Sequence, residues 1–261
     1  MQAFAYIKPV SVAEAARAMA QEDAMLMAGG QTLLQTMKLG LIAPSAVIDI
    51  GGIDELQGIR LDGNRLIIGA TTTHAAVAES AQVQAAIPAL AELAGHIGDR
   101  QVRHRGTLGG SLANNDPAAC YPAAVLGLGA TVHTNLRAIA ADDFFLGLYT
   151  TALGEGELIT AVSFPLPARA AWRKFKQPAS RFSLVGVFVT QGPAGTRVAV
   201  TGAGAGGVFR AHTLEQRLAA DWSVASLAGA TVSAADLNSD LHGSAEYRAS
   251  LITLLAARAV A

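Results

Sequence analysis

The chain of 261 residues contains a single cysteine, Cys120. One thiol forms no disulfide within the chain, and an iron–sulfur cluster needs about four cysteine ligands, so the sequence excludes both. The six histidines show no paired spacing with a nearby acid, which predicts that the chain has no metal site. Any redox chemistry in this chain would therefore depend on an organic cofactor.

Charge is also scarce: charged residues make up 15% of the chain, and its net charge is −1. A broad nucleic-acid or membrane-surface role needs a basic excess, so neither is expected. The longest run without Asp, Glu, Lys or Arg covers residues 117–136, but its two prolines and Asn135 favour a buried segment over a membrane span. Residues 1–9 do not resemble a signal peptide, which predicts a cytoplasmic location.

The hydrophobic content of 51% and the 27 glycines predict a globular protein that mixes helices and strands, in one large or two modest domains. Pro165, Pro167 and the alanine-rich segment that follows mark the best domain boundary. After this boundary, apolar patterns predict strands at 172–176, 182–190 and 197–201, and helices at 213–220 and from 244 onward.

A first glycine pair joins a predicted strand to a predicted helix. The strand covers residues 24–28, Gly29 and Gly30 form the turn, and Thr32 can cap the helix that follows. This order points free N–H groups at one spot, which favours phosphate binding. An ordinary strand-to-helix turn is the alternative. A second strand at 47–50 completes a βαβ-like unit.

A second glycine pair, Gly109–Gly110, lies in the segment 103–122. Glycine permits positive φ and close approach, while Thr107 and Ser111 add hydroxyl donors, so a turn here predicts a concave anion site. The alternative is a tight turn beside solvated arginines at 100, 103 and 105. Two donor-rich loops in one domain suit a diphosphate. The leading hypothesis is therefore a dinucleotide, FAD or NAD, bound by a non-Rossmann domain.

A third glycine-rich segment, residues 202–207, fits the pattern G-x-G-x-x-G. A Rossmann fingerprint needs a βαβ unit and an acid at the end of the next strand. Only 54 residues follow Gly207, and Asp221 does not close an apolar run. We interpret this segment as a structural glycine turn.

Four motifs together carry a family resemblance. They are residues 28–34 (AGGQTLL), 105–118 (RGTLGGSLANNDPA), 157–159 (ELI) and 240–248 (DLHGSAEYR). In this order and spacing they resemble the FAD-binding medium subunit of molybdenum hydroxylases, the family of xanthine dehydrogenase and aerobic carbon monoxide dehydrogenase. The resemblance covers essentially the whole chain.

The resemblance implies an α+β fold. A two-subdomain FAD-binding domain of the vanillyl-alcohol-oxidase (PCMH) type would span residues 1–168, divided at about residue 54. A small C-terminal α+β domain with a three-stranded sheet would span 169–261. No catalytic or metal-binding residue is implied. The implied cofactor-binding residues are Ala28, Gly29, Gly30, Gln31, Thr32, Leu33, Thr107, Leu108, Gly109, Gly110, Ser111, Asp116, Cys120, Ile159 and Lys176.

Three of these positions have specific roles in the resemblance. The backbone of Ile159 would lie at the flavin, and Lys176 matches a lysine that sits by the flavin ring in some members, where an ammonium would stabilise negative charge. A solvated surface lysine is the alternative. Cys120 replaces an aspartate that the family usually places near the adenosine end of the cofactor. Asp116 is a candidate substitute, or it caps a turn.

The implied function is electron transfer. A large molybdenum subunit hydroxylates the substrate, a small subunit passes electrons through two [2Fe–2S] clusters, and FAD hands an electron pair to NAD⁺, O₂ or a quinone. The expected assembly is a dimer of heterotrimers. One alternative is a self-contained flavin oxidase or reductase, for which His104 and Tyr149 are the candidate acid–base residues. Another is a non-catalytic scaffold that has lost FAD.

Overall fold

The structure is a computed structural model that describes residues 2–261. In chain order the strands are β1 (Ala5–Ile7), β2 (Ala24–Met27), β3 (Ala46–Asp49), β4 (Ile59–Asp62), β5 (Arg65–Gly69), β6 (Thr131–Thr134), β7 (Ala138–Ala140), β8 (Phe145–Gly147), β9 (Thr150–Thr151), β10 (Ile159–Pro165), β11 (Arg169–Lys176), β12 (Ser183–Gly192), β13 (Gly195–Thr201) and β14 (Phe209–Arg210).

The α-helices connect these strands and cover the sheets. In chain order they are α1 (Val12–Ala18), α2 (Leu33–Lys38), α3 (His74–Glu79), α4 (Ala81–Ala86), α5 (Pro88–Gly95), α6 (Arg100–Arg105), α7 (Leu108–Asn114), α8 (Tyr121–Leu128), α9 (Ala141–Phe144), α10 (His212–Ala220) and α11 (Ala245–Val260). None of the helices in the described part of the chain is long and apolar enough to cross a membrane.

The first sheet has three parallel strands in the order β1-β3-β2. Helix α1 connects β1 to β2, and its N-cap is Ser11, whose hydroxyl accepts the Glu14 N–H at 3.2 Å. The Glu14 carboxylate accepts the N–H of Val10, the residue before the cap, at 2.8 Å. The βαβ-like arrangement predicted from the strand patterns is confirmed, and it places the first glycine pair directly after β2.

The second sheet is antiparallel, with five strands in the order β4-β5-β10-β6-β7. Its strands alternate between a solvent face and a core face. The core face packs against α3, α5, α7 and α8, in a single hydrophobic cluster. Fully buried residues on this face are Leu66, Ile68, Val132, Val162 and Phe164.

The third sheet is antiparallel, in the order β11-β12-β13-β14. The three strands predicted from the sequence are present, but the expected three-stranded sheet has a fourth strand, β14. Two residues are too short for an alternating pattern, so the sequence did not indicate it. Trp172 and Phe188 join the core beside α8, whereas Val187 and Val200 pack with α10 and α11. The sheet is therefore buried on both faces.

The glycine-rich segment 202–207 connects β13 to β14 as a turn. Gly202 and Gly207 have positive φ, +82° and +102°, and a Cβ on Gly202 would lie 2.4 Å from the carbonyl oxygen of Ser183. The next residues form strand β14 rather than a helix. The interpretation as a structural turn is confirmed.

Candidate functional site

The loop after β2 offers unused backbone donors. Gly30 has φ +69°, a conformation that favours glycine, and helix α2 begins at Leu33. The N–H groups of residues 29–32 have no acceptor within residues 2–261. Thr32 precedes the helix as predicted, but its side chain makes no capping hydrogen bond. These free donors are what an anion-binding loop requires, so the anion site predicted from the glycine pair stays a prediction.

The second glycine pair has a different structure from the predicted turn. Gly109 and Gly110 lie in the first turn of α7, which Thr107 caps by accepting the N–H of Gly110 at 3.1 Å. The N–H of Gly109 donates to the carbonyl oxygen of Ala70 at 2.8 Å. A Cβ on Gly109 would lie 2.7 Å from the Cβ of Ala70. Glycine is needed here for close packing rather than for positive φ, and both N–H groups already have acceptors.

The two glycine segments meet backbone to backbone. A Cβ on Gly29 would lie 1.8 Å from the carbonyl oxygen of Arg105 and 2.9 Å from the Cα of Gly106. Only glycine permits this approach. The structure thus brings the first glycine segment, at Gly29, against Arg105 and Gly106 at the start of the second, as the diphosphate hypothesis requires.

Ile159 belongs to the same region through a chain of backbone contacts. It is buried and precedes a bulge in β10. The carbonyl oxygen of its neighbour Thr160 accepts the N–H of Ala70, whose own carbonyl oxygen accepts the N–H of Gly109. The second glycine segment is therefore held by both β10 and the end of β5.

His74 supports the second segment from behind, and the sequence analysis missed it. Its N–H donates to the carbonyl oxygen of Gly106 at 2.9 Å, and a Cβ on Gly106 would meet the imidazole Nε2 at 2.5 Å. Burial, reinforced by the charge of Arg103, lowers the pKa of His74 to about 4. The imidazole is thus neutral at neutral pH and packs against Tyr121, with ring centroids 5.3 Å apart. The sequence feature that could have indicated His74 is its position directly after Thr73, the residue that caps α3.

Asn115, also missed, ends α7 in the left-handed conformation with φ +42°. Its buried amide donates to the carbonyl oxygens of Gly147 and Thr150, at 2.8 and 2.9 Å. This fixes the hairpin of β8 and β9 beside Asp116. An asparagine between a helical segment and Asp-Pro was the signal in the sequence.

Asp116 caps a turn, one of the two roles considered from the sequence. Its carboxylate accepts the N–H of Ala118 at 2.8 Å. Burial and the charge of Asp116 raise the pKa of Tyr149. His104 is exposed on α6.

Cys120 and Lys176 lie on the same side of the molecule. The Cys120 thiol is buried, 3.3 Å from the ammonium nitrogen of Lys174 and 3.6 Å from the hydroxyl of Ser183. Ser183 pairs with Lys176 across β11 and β12. The resemblance assigned Cys120 to the adenosine end of the cofactor and Lys176 to the flavin end.

Comparison with known proteins gives a family match and relatives that are similar over nearly the whole chain. Residues 2–167 match the family described as FAD binding domain in molybdopterin dehydrogenase. The carbon monoxide dehydrogenase medium chain of Hydrogenophaga pseudoflava is 34% identical over 98% of this chain and 96% of its own length. The nicotine 6-hydroxylase medium subunit of Paenarthrobacter nicotinovorans is 34% identical over 100% and 97%.

Two solved structures share the whole fold. A structure of carbon monoxide dehydrogenase from Hydrogenophaga pseudoflava superposes with a TM-score of 0.89 at 34% identity and covers 99% of this chain and 96% of the other. Quinoline 2-oxidoreductase from Pseudomonas putida 86 gives a TM-score of 0.88 at 30% identity, with the same coverage. The α+β fold expected from the sequence is confirmed.

Proposed function

Because the chain belongs to the family of FAD-binding domains of molybdopterin dehydrogenases, we propose that it relays electrons from the iron–sulfur clusters of a partner subunit to an external acceptor. FAD binding, an oxidoreductase role and the medium-subunit type follow from family membership. The proposal includes two domains, residues 1–168 and 169–261. The family match ends at residue 167 and β11 begins at Arg169, which supports that boundary.

The observation that carries the proposal is the pair of glycine segments in contact. Residues 29–32 supply unpaired N–H groups, and those groups suit the anionic oxygens of a diphosphate. Gly29 packs on Arg105, so the loop is fixed before a ligand arrives. A pre-formed loop loses little conformational entropy on binding. The residues present therefore fit the cofactor.

The two segments contribute in different ways. The loop at 28–33 would hold the diphosphate through its N–H groups. Thr107, Leu108, Gly109, Gly110 and Ser111 would instead provide a wall that a ligand can approach closely, since the N–H groups of Gly109 and Gly110 already have acceptors. When bound, FAD supplies a carrier that takes electrons one at a time and releases them in pairs. Lys176, which is exposed, would place an ammonium where negative charge develops.

The proposed assembly contains a small [2Fe–2S] subunit and a large molybdenum-cofactor subunit, as a dimer of heterotrimers in the cytoplasm. The relatives called medium chains support it. So does the single cysteine, because this chain cannot hold the clusters that deliver the electrons.

The test is purification of the chain with and without the products of its neighbouring reading frames. We expect flavin absorbance with one FAD per chain, and recovery of a cysteine-rich small subunit and a large subunit with it. A colourless protein that takes up no added FAD would contradict cofactor binding. An FAD-loaded monomer that turns over substrate alone would support the self-contained flavin enzyme instead.

A further inference from the structure

Residues 70–74, which lead into helix α3, lie alongside residues 106–109 of the second glycine segment. Three backbone hydrogen bonds of 2.8 to 3.1 Å join the two stretches, and Thr73 forms an isolated antiparallel bridge with Thr107. One of these bonds runs from the N–H of His74 to the carbonyl oxygen of Gly106, at 2.9 Å. The backbone of His74 is therefore fixed directly to Gly106.

The side chain of His74 fills the space behind the same glycine. A Cβ on Gly106 would lie 2.5 Å from the imidazole Nε2 and 2.8 Å from Cδ2. His74 is 5% exposed, and its ring also packs on the fully buried Tyr121. Movement of the imidazole would thus disturb both the glycine segment and the core.

The backbone that His74 supports is the one that contacts the first glycine loop. A Cβ on Gly29 would lie 1.8 Å from the carbonyl oxygen of Arg105 and 2.9 Å from the Cα of Gly106. The Arg105–Gly106 backbone is thus in contact with Gly29 and with His74. A shift of the imidazole would pass through this backbone to the loop at residues 29–32.

The surroundings of the imidazole suit a neutral ring. Its Nδ1 is buried and has no hydrogen-bond partner within residues 2–261, and the same holds for the hydroxyl of Tyr121. The charged group that faces the ring is Arg103 of α6. Burial, and then the charge of Arg103, lower the pKa of His74 to about 4.

The elements packed against α3 offer no compensating negative charge. Helix α4 contains no titratable residue, and the acid of α5, Glu92, pairs with Arg173 at 3.6 Å. Burial raises the pKa of Tyr121, which keeps its phenol neutral. The other charged residues of α6 are exposed: Arg100, His104 and Arg105. A proton on His74 would therefore create an unpaired buried charge beside Arg103.

We propose that His74 is a positioning residue for the cofactor: its neutral imidazole holds the Arg105–Gly106 backbone against Gly29, and protonation of the ring opens this contact and releases FAD. This role rests on the proposed function, which places the diphosphate at residues 29–32. His74 itself acts through Gly106 and does not touch the diphosphate.

The direction of the pH effect follows from the protons that His74 binds in each state. In the closed contact the ring takes a proton only near pH 4, whereas in an open contact it regains its ordinary pKa of 6.5. The open form therefore binds more protons between these two values. Each pH unit lost below 6.5 favours opening about tenfold, up to about 300-fold at pH 4, and above pH 6.5 this effect is absent.

The test is the rate of FAD release from the FAD-loaded protein, followed by flavin fluorescence after dilution into buffers of different pH. Between pH 6.5 and 4.5 the parent protein should release FAD about tenfold faster for each unit lost. His74→Gln has no titrating group, so it should lose this dependence while its rate at pH 8 stays close to that of the parent.

Two further variants complete the test. His74→Ala should release FAD at least about tenfold faster at pH 8, because removal of the ring leaves a cavity behind Gly106, and added imidazole should restore part of the parent rate. The matched control is His133→Gln, at a half-buried histidine of β6 whose pKa is also lowered by burial. It should keep both the rate and the pH dependence of the parent.

Equal pH dependence in His74→Gln and the parent would overturn the proposal, because another group would then control release. So would the parent rate in His74→Ala at pH 8. If His74→Ala does not fold, His74→Gln still decides through its pH dependence.

A parent protein that takes up no FAD would contradict the proposed function, and hydrogen exchange of residues 105–109 in the apoprotein then tests His74 separately. At pH 4.5 these backbone N–H groups should exchange faster in the parent than in His74→Gln, because only the parent gains the proton that opens the contact. Equal exchange in the two proteins would overturn the role of His74.

Discussion

Replacing Gly29 with alanine tests whether contact between the two glycine segments creates the cofactor site. The added Cβ would lie 1.8 Å from the carbonyl oxygen of Arg105, and an ordinary contact begins at 3.4 Å. The two backbones must therefore separate by about 1.6 Å, the difference of these distances. No flexible side chain can absorb this shift, because Arg105 and Gly106 present backbone atoms.

The substitution should affect both cofactor binding and folding. Overpacking of this kind costs about 1–3 kcal/mol of unfolding free energy. A shift above 1 Å breaks hydrogen bonds that are formed near 2.9 Å, and each bond to a charged phosphate contributes about 1.5–3 kcal/mol. Loss of one or two such bonds raises the Kd for FAD about a hundredfold. Flavin fluorescence during titration of the apoprotein measures this Kd, and thermal unfolding reports the stability.

Gly206→Ala is the matched control for Gly29→Ala. A Cβ there meets nothing within 4 Å, and the residue does not have positive φ. We expect no change in its FAD affinity and little change in its Tm. A folded Gly29→Ala protein with the parent affinity for FAD would refute the reasoning, since it would show that the contact does not shape the site.

Three further predictions concern Asn115, Glu157 and Cys120. Asn115→Ala leaves two carbonyl oxygens without their donor and strains a left-handed residue, which should cost about 2–4 kcal/mol in urea unfolding. The Arg137 guanidinium is the main group that lowers the pKa of Glu157 to about 2. Glu157→Gln should therefore be less stable by up to about 3 kcal/mol at neutral pH, and the difference should vanish as the pH falls from 4.5 towards 2. Cys120→Asp places a carboxylate beside the Lys174 ammonium, and the absorption spectrum of the bound flavin should shift, whereas in Cys120→Ser it should not.

Local sequence patterns predicted the elements that depend on local chemistry. The strands β11, β12 and β13 of the third sheet occur where the apolar patterns placed them. The loop at Gly29–Gly30 was also predicted, because positive φ at Gly30 is a local backbone preference. Such features need no information on distant residues.

Features set by tertiary contact were not predictable in the same way. The glycine pair 109–110 was expected to form a turn, yet it lies in a helix that Thr107 caps. Gly109 has no side chain there because Ala70 leaves no room for one. A sequence shows that glycine permits both positive φ and close packing, but not which of them the fold uses. His74 was missed because its role arises only when α3 packs beneath Gly106.

The position of Cys120 also depends on tertiary structure, and it bears on how the cofactor can lie. Helix α6 packs on Gly29 at its end, whereas the turn before it contacts Lys174, the neighbour of the Cys120 thiol. If the flavin ring lies at Lys176, as proposed, Cys120 is near it through Ser183, the strand partner of Lys176. The flavin spectrum of Cys120→Asp tests this arrangement, because a spectrum equal to that of the parent protein would place Cys120 away from the ring.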